Sequence, residues 1–214
     1  MTAPAYPFGI PSGSYVLEGG EAVAWDGTVG AGRRPVLAFG ANAAPAALAV
    51  KLDDLAARAR VPVVAGELRD FDVVYSAHVS PYGAIPGTLL PCPGAVASVH
   101  LVHLTDAELA RVHRSEPNYD FVRLEGAGVH AYVSKHGALR REGAPVGVAA
   151  IPVRGRVWPV LDEPAILAAI RDELDPGRPL EDFVAAHVVD PELAAERTAT
   201  LRATAIPFDT VAIA

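Results

Sequence analysis

Apolar and polar side chains alternate along several stretches of the chain, and a period of two residues is typical of β-strands. The longest stretch covers residues 71–79, where the odd-numbered positions are Phe, Val, Tyr, Ala and Val. One face of that strand is therefore firmly apolar. The same reasoning predicts strands at residues 36–39, 61–65, 88–90, 96–103, 119–124, 129–134 and 146–152, and a short hairpin from residues 15–17 and 22–25.

Proline and glycine indicate where regular structure is interrupted. Residues 1–14 contain three prolines and two glycines, so we expect an arm with little order before Tyr15. The PCPG run at residues 91–94 predicts a turn between two strands. The EGAP run at residues 142–145 predicts the turn of a hairpin whose arms are residues 129–134 and 146–152.

Helical spacing of leucines predicts a helix over residues 45–58. A second helix, over residues 106–115, has the strongest local signal, because Thr105 and Glu108 have the spacing of a capping box. Pro117 ends it. Three short helices close the chain, beginning near Pro164, Leu180 and Pro191.

The order of strands and helices is mixed rather than strictly alternating, which favours an α+β fold. We expect a mostly antiparallel, barrel-like mixed sheet with flanking helices, plus the C-terminal helices. We divide the chain into an N-terminal arm and hairpin (1–34), a core (35–125), and a C-terminal hairpin and helical extension packed on the core (126–214).

Composition narrows the classes of partner. Of 214 residues, 51% are hydrophobic and 20% charged, as in globular proteins, and a net charge of −7 argues against nucleic acid. A single cysteine excludes an internal disulfide and a multi-thiolate metal site, and we expect a cytoplasmic protein. No N-terminal export signal and no run of about 18 apolar residues occurs, so we expect no membrane partner.

Neither a metal nor a cofactor is expected. Of the seven histidines, His100 and His103 lie three residues apart on a predicted strand, so their side chains point to opposite faces and cannot chelate one ion together. The chain contains no phosphate-binding loop and no glycine-rich dinucleotide motif.

Three motifs follow one another along the chain. Phe39-Gly40-Ala41-Asn42 follows a strand and precedes a helix, the PCPG run lies between strands, and Glu116 follows a helix. In this order the motifs resemble those of the gamma-glutamylcyclotransferase family. The family has a Tyr-Gly-Ser-Asn loop, a Pro-x-Pro-Gly-like turn and a glutamate at the end of a short helix. The resemblance covers roughly residues 36–124. Two of the four loop positions differ, and the differences remove a phenolic and a serine hydroxyl.

The resemblance implies an enzyme that forms 5-oxoproline from a gamma-glutamyl amine or peptide by intramolecular aminoacyl transfer. It implies that Glu116 is the general acid/base and that no cofactor takes part. It also implies that a small-molecule substrate carrying a carboxylate binds at Phe39, Gly40, Ala41, Asn42 and Tyr119.

The residues themselves leave alternatives open. A carboxylate at a helix C-terminus is disfavoured when charged by about 0.3 to 1 kcal/mol, which suits a proton-transfer group, but Glu116 can equally be a helix-end residue paired with Arg111 or Arg114. The loop can be a tight turn in which Asn42 is a local cap, and Tyr119 a packing residue. Weaker candidates for the walls of the site are Tyr75, Ser76, Tyr82 and Arg69.

Two other functions are compatible with the same fold. One is a catalytically inactive module that binds a small molecule or a protein, and the other is a related amide hydrolase in which the carboxylate activates water.

Overall fold

The computed structural model describes residues 3–208 as an α+β fold with five α-helices and a large, mostly antiparallel sheet. This confirms the predicted class. The strands are β1 Tyr15–Glu18, β2 Glu21–Ala24, β3 Arg34–Ala38, β4 Arg60–Tyr75, β5 Gly87–Leu104, β6 Tyr119–Leu124, β7 Val129–Ser134, β8 Arg140–Arg141, β9 Ala144–Pro145, β10 Gly147–Val148, β11 Val153–Arg154 and β12 Val160–Leu161. The helices are α1 Pro45–Leu52, α2 Asp106–Arg114, α3 Glu163–Leu174, α4 Leu180–Val189 and α5 Pro191–Arg202.

The main sheet runs in the order β12-β10-β4-β5-β3-β7-β6. All of these neighbours are antiparallel except β3 with β7 and β10 with β12, which are parallel. Within residues 3–208 the two end strands do not pair with each other, so the sheet is unclosed. Strand β3 lies between β5 and β7, and its last residue, Ala38, is paired with His100 of β5.

The long β4–β5 hairpin corrects two predictions. The strand expected at 61–65 and the first five residues of the strand expected at 71–79 form one strand, β4, which ends at Tyr75, so residues 76–79 lie outside it. The PCPG run does not reverse the chain but lies inside β5. The register passes from Arg69↔Val96 to Phe71↔Pro91, so residues 92–95 bulge opposite the single residue Asp70. Asp70 has φ +63° and its carboxylate accepts the N–H of Gly94 at 2.8 Å, which holds the bulge.

The predicted strands β6 and β7 are confirmed with the same bounds, but the hairpin partner expected for β7 is wrong. β7 lies between β6 and β3. The turn at residues 142–143 instead closes the small β8–β9 hairpin, with positive φ at both positions as a tight hairpin turn requires. Of the strand expected at 146–152, only β10 forms.

Helix α2 begins at its predicted capping box: Thr105 Oγ1 accepts the Glu108 N–H at 3.3 Å, and Glu108 Oε2 accepts the Thr105 N–H at 2.7 Å. Helix α1 ends at Leu52, six residues earlier than predicted, because Asp53 has φ +53° and leaves the helical region. The three C-terminal helices form where predicted.

From residue 3 onward the N-terminal arm also differs from the prediction, because its aromatic side chains pack against other parts of the protein. Ala3–Ala5 forms a 3₁₀ turn, and Tyr6 follows it with only 7% of its surface exposed. The Tyr6 ring packs edge-on to Phe8, and Phe8 packs edge-on to Tyr82. Proline and glycine exclude a long helix or strand here, but they do not prevent this aromatic packing from fixing the arm.

Among residues 3–208, no helix is both long enough and apolar enough to cross a lipid bilayer.

Candidate functional site

One cavity of about 260 Å³ lies where β3 ends, beside the end of α2. The ordered N-terminal arm and the loop between β4 and β5 complete its wall. All six residues predicted for the site line it: Phe39, Gly40, Ala41, Asn42, Glu116 and Tyr119. The topology brings the loop and the glutamate together across 74 residues of sequence.

Glu116 lies one residue beyond the C-cap Ser115 of α2, and its side chain is 8% exposed. Its Oε1 accepts a hydrogen bond from Asn42 Nδ2 at 2.9 Å and also pairs with the Lys51 ammonium. Lys51 Nζ donates to Asn42 Oδ1 at 2.8 Å as well. The carboxylate, the amide and the ammonium therefore form a closed triangle on the cavity wall.

These contacts exclude two alternative roles: the pairing of Glu116 with an arginine of its own helix, and Asn42 as a local helix cap. Arg111 pairs with Asp53 and Asp54 rather than with Glu116, and the cation beside Glu116 is Lys51. Asn42 is not a local cap, because α1 has Ala44 at its N-cap with no side-chain hydrogen bond there. Both polar ends of the Asn42 amide are used instead to join Lys51 to Glu116.

Gly40 lies against Tyr6 of the N-terminal arm. A Cβ placed on Gly40 would lie 2.5 Å from the Tyr6 hydroxyl oxygen, so no other residue fits without a shift. Phe39 is buried and Ala41 half-buried, and neither can donate a hydrogen bond from its side chain. The phenolic hydroxyl next to this loop thus comes from Tyr6, which is distant in sequence.

Two tyrosines bind the backbone of Gly87 at the base of the cavity. The Gly87 N–H donates to Tyr6 Oη at 2.7 Å, and Tyr119 Oη donates to the Gly87 carbonyl at 3.1 Å. Burial is the main cause that raises the pKa of both phenols well above the ordinary value. Both therefore remain neutral, and Tyr119 combines the packing role with a place in the cavity wall.

A second polar cluster reaches the same cavity through His78. Its Nδ1 lies 2.7 Å from Ser76 Oγ, and Ser76 Oγ lies 2.6 Å from Ser134 Oγ. Burial, with a smaller contribution from His136, lowers the pKa of His78 to about 3. The imidazole is consequently neutral at physiological pH.

Of the four weaker candidates for the walls of the site, one lines the cavity and three do not. Tyr82 lines the cavity, whereas Tyr75 and Ser76 are buried behind it and Arg69 is exposed on β4. The Tyr75 hydroxyl donates to the Leu161 carbonyl at 3.1 Å, so it serves the contact with β12.

Sequence reasoning missed Tyr6, Lys51 and His78. Lys51 had one available signal, since the chain has sixteen arginines and only two lysines. Because nearly all the other basic residues are arginine, a lysine in this chain indicates a position where an ammonium group could be required. Tyr6 carried no such signal, because its partner Gly87 lies 81 residues away. Ser76 is only two residues from His78, but Ser134, which completes that cluster, lies 58 residues from Ser76.

Within residues 3–208, histidine, cysteine and acidic side chains form no group of three or more that could hold a metal ion. Comparisons with protein-family models, with curated proteins and with solved structures gave no match. The functional conclusion accordingly depends on the side chains of the cavity.

Proposed function

We propose that this chain is a gamma-glutamylcyclotransferase-like enzyme that forms 5-oxoproline from a gamma-glutamyl amine. The observation that carries the proposal is the Glu116 carboxylate, held against the cavity by Asn42 and Lys51 beside the loop at residues 40–42. A carboxylate fixed at a small cavity next to a glycine turn is what an internal amide exchange needs.

Glu116 would act as the proton carrier. It accepts a proton from the α-ammonium group of the substrate, and the freed amine attacks its own γ-carbonyl carbon, forming the ring C–N bond. The original amide C–N bond then breaks. Glu116 returns its proton to the leaving nitrogen, and two protons pass in all from the α-nitrogen to that nitrogen. The products are therefore 5-oxoproline and the protonated leaving amine, and no water is consumed.

Lys51 and the loop would hold the substrate α-carboxylate. The N–H groups that open a helical turn have no carbonyl partner inside it, and a 3₁₀ turn, Ala41–Ala43, begins immediately after Gly40. The ammonium of Lys51 adds the positive charge that an anion requires. Fixing the carboxylate orients the amine toward the γ-carbonyl, which is the main source of rate in a ring closure.

Within the proposal, the unclosed sheet is the counterpart of the barrel-like core that the resemblance implies. Such a core requires a curved sheet. Two features favour curvature: the length of the β4–β5 hairpin, and the four-residue bulge at 92–95, because bulges bend the strand that contains them.

The cavity lining favours an apolar leaving amine. Five aromatic side chains line it, those of Tyr6, Phe39, Tyr82, Tyr119 and Tyr132. Among the described lining residues, Lys51 is the only side chain with a permanent positive charge. One ammonium suits one carboxylate, so a gamma-glutamyl arylamine or alkylamine fits better than a gamma-glutamyl peptide with a second carboxylate.

The inactive binding module is the second candidate, and one observation favours it. The Glu116 carboxylate is already paired with a cation and an amide, as it would be in a purely structural role. Such a module would bind a carboxylate ligand in the cavity without turnover.

Incubating the purified protein with gamma-glutamyl anilides, alkylamides and dipeptides, followed by mass spectrometry, distinguishes these functions. We expect 5-oxoproline, fastest from the anilides and alkylamides. Release of glutamate would support the amide hydrolase. Binding of the compounds with no product would support the inactive module and overturn the proposal.

A further inference from the structure

We infer that His78 donates a hydrogen bond from Nε2 to the γ-carbonyl oxygen of the substrate, with its tautomer set by the buried hydroxyls of Ser76 and Ser134. The inference rests on the proposed function for the identity of that oxygen. The donor itself follows from the arrangement of hydrogen bonds around the imidazole.

The three side chains form a continuous chain of polar contacts inside the protein. Ser76 is fully buried, His78 is 1% exposed and Ser134 is 6% exposed. The chain begins at the backbone N–H of His136, which donates to Ser134 Oγ at 3.0 Å. It continues through the two hydroxyls to His78 Nδ1, over separations of 2.6 and 2.7 Å.

Either hydroxyl can donate in the 2.6 Å contact between Ser76 and Ser134, because the oxygen positions are the same for both directions, and counting the protons selects one of them. Each serine hydroxyl has one proton to donate. If Ser134 donates to Ser76, then Ser76 donates to His78 Nδ1 and every buried group is satisfied. In the reverse direction, Ser134 would have to donate elsewhere, and no other acceptor for its hydroxyl is found among residues 3–208.

The carbonyl of Gly137 does not change this result. It lies 3.4 Å from Ser76 Oγ, which is long for a hydroxyl hydrogen bond and much longer than the 2.7 Å contact with the imidazole. Because Nδ1 accepts from Ser76, the proton of the neutral ring is on Nε2.

Nε2 has no hydrogen-bond partner in the described residues, and it is not among the polar atoms that are sealed from solvent without a partner. It is therefore accessible, and the space open to it is the cavity that both His78 and Glu116 line. The ring is held in this position by stacking on His136, with centroids 4.8 Å apart, and by an edge contact with Tyr119 at 5.5 Å.

A neutral donor suits the γ-carbonyl oxygen better than the α-carboxylate. The carboxylate carries a full charge throughout the reaction, and Lys51 provides the matching ammonium. The carbonyl oxygen becomes negative only when the amine attacks, and a donor already fixed in position stabilises that charge without reorganisation. Burial and the neighbouring His136 keep His78 neutral, so it does not compete with Glu116 for the substrate proton.

Nitrogen-15 NMR of the full chain, with labelled histidine, tests the tautomer without any turnover. The His78 signals are assigned by their loss in His78→Phe. We expect the pattern of a neutral ring protonated at Nε2, with no titration near 6.5, and a shift of the Nε2 signal when 5-oxoproline is added. A ring protonated at Nδ1, or an Nε2 signal that 5-oxoproline leaves unchanged, would overturn the inference.

Kinetics provide the second measurement. His78→Phe keeps a planar ring but removes the donor, so kcat should fall by about 10²-fold or more while KM changes little. His130→Phe, on β7 and outside the cavity lining, is the matched control and should keep the original kcat. An unchanged kcat in His78→Phe would contradict the inference alone, whereas an unaltered protein that forms no 5-oxoproline would contradict the proposed function.

Discussion

The hydroxyl of Tyr6 occupies the space that a side chain at position 40 would fill. A Cβ built on Gly40 would lie 2.5 Å from Tyr6 Oη, and the same oxygen accepts the Gly87 N–H at 2.7 Å. An arm at one end of the chain thus contacts both the glycine of the candidate anion loop and the backbone at the base of the cavity. The arm is part of the site.

Gly40→Ala should therefore displace the Tyr6 ring. The φ of Gly40 is −141°, so alanine does not have to adopt a positive φ there, and overpacking of the kind that the clash produces destabilises by about 1–3 kcal/mol. Chemical denaturation measures it. Gly13→Ala is the matched control, because a Cβ on Gly13 has no neighbour within 4 Å.

Tyr6→Phe completes a double-mutant cycle with this substitution. The single variant leaves the buried Gly87 N–H without its acceptor, and we expect a loss of about 1–3 kcal/mol. In the Tyr6→Phe background the clashing oxygen is gone, so Gly40→Ala should cost clearly less than it does in the unaltered protein. Additive losses would show that the two groups are not in contact.

Lys51→Met removes the cation beside a carboxylate that is 8% exposed. We expect the free energy of unfolding to fall by up to about 3–5 kcal/mol, because one charge of a buried pair is left uncompensated. Adding Glu116→Gln to Lys51→Met should restore part of that loss. Lys135→Met is the control, since the Lys135 side chain is 46% exposed, and it should leave the unfolding midpoint nearly unchanged. If the double variant recovers nothing, the two groups are not coupled.

Glu163 gives the protein a pH dependence that is separate from the site. Burial, the largest cause, raises the pKa of this carboxyl from its ordinary value of 4.5 to about 8, and its Oε1 accepts the Ile85 N–H at 2.7 Å. The folded state therefore holds a proton that the unfolded state releases above pH 4.5. Stability from this group is complete below that pH and is lost at about 1.4 kcal/mol per unit as pH rises toward 8.

Glu163→Gln keeps the acceptor for Ile85 but cannot ionise. We expect its unfolding free energy to depend less on pH than that of the unaltered protein between 4.5 and 8. Denaturation curves at several pH values measure the difference. Glu173→Gln, at a partly exposed ion pair with Arg141, is the control and should keep the original slope. Parallel pH profiles for the unaltered protein and Glu163→Gln would contradict the assignment.

The parts of the fold that sequence predicted best depend on neighbours close in sequence. The Thr105–Glu108 capping box and strands β6 and β7 are specified within a few residues, by side-chain hydrogen bonds and by alternation. The PCPG run was misinterpreted because proline and glycine signal a break without saying whether the chain reverses or bulges. Which of the two occurs is decided by the partner strand.

In the candidate site, too, the residues that belong to local motifs were predictable from the sequence, whereas those placed by tertiary contacts were not. Motif order placed Glu116 and the loop in one cavity, because each motif lies at the end of a regular element. The rarity of lysine was the one sequence signal for Lys51. The roles of Tyr6 and His78 could not be added from the sequence, since they depend on contacts across long separations, such as the 81 residues between Tyr6 and Gly87 and the 58 between Ser76 and Ser134. Pairing Glu116 with Arg111 or Arg114 was the natural expectation on one helix, but the tertiary fold supplies Lys51 instead.

The most direct test of the central claim compares initial rates of 5-oxoproline formation by the unaltered protein and by Glu116→Gln, with the fastest substrate. Glutamine keeps the shape and can still contact Lys51 and Asn42, but it cannot accept the substrate proton. Glu125→Gln, at an exposed ion pair with Arg123, serves as the control. We predict a fall of at least about 10²-fold for Glu116→Gln, with the protein still folded, and an unchanged rate for the control. A folded Glu116→Gln variant that forms 5-oxoproline at the original rate would contradict the account.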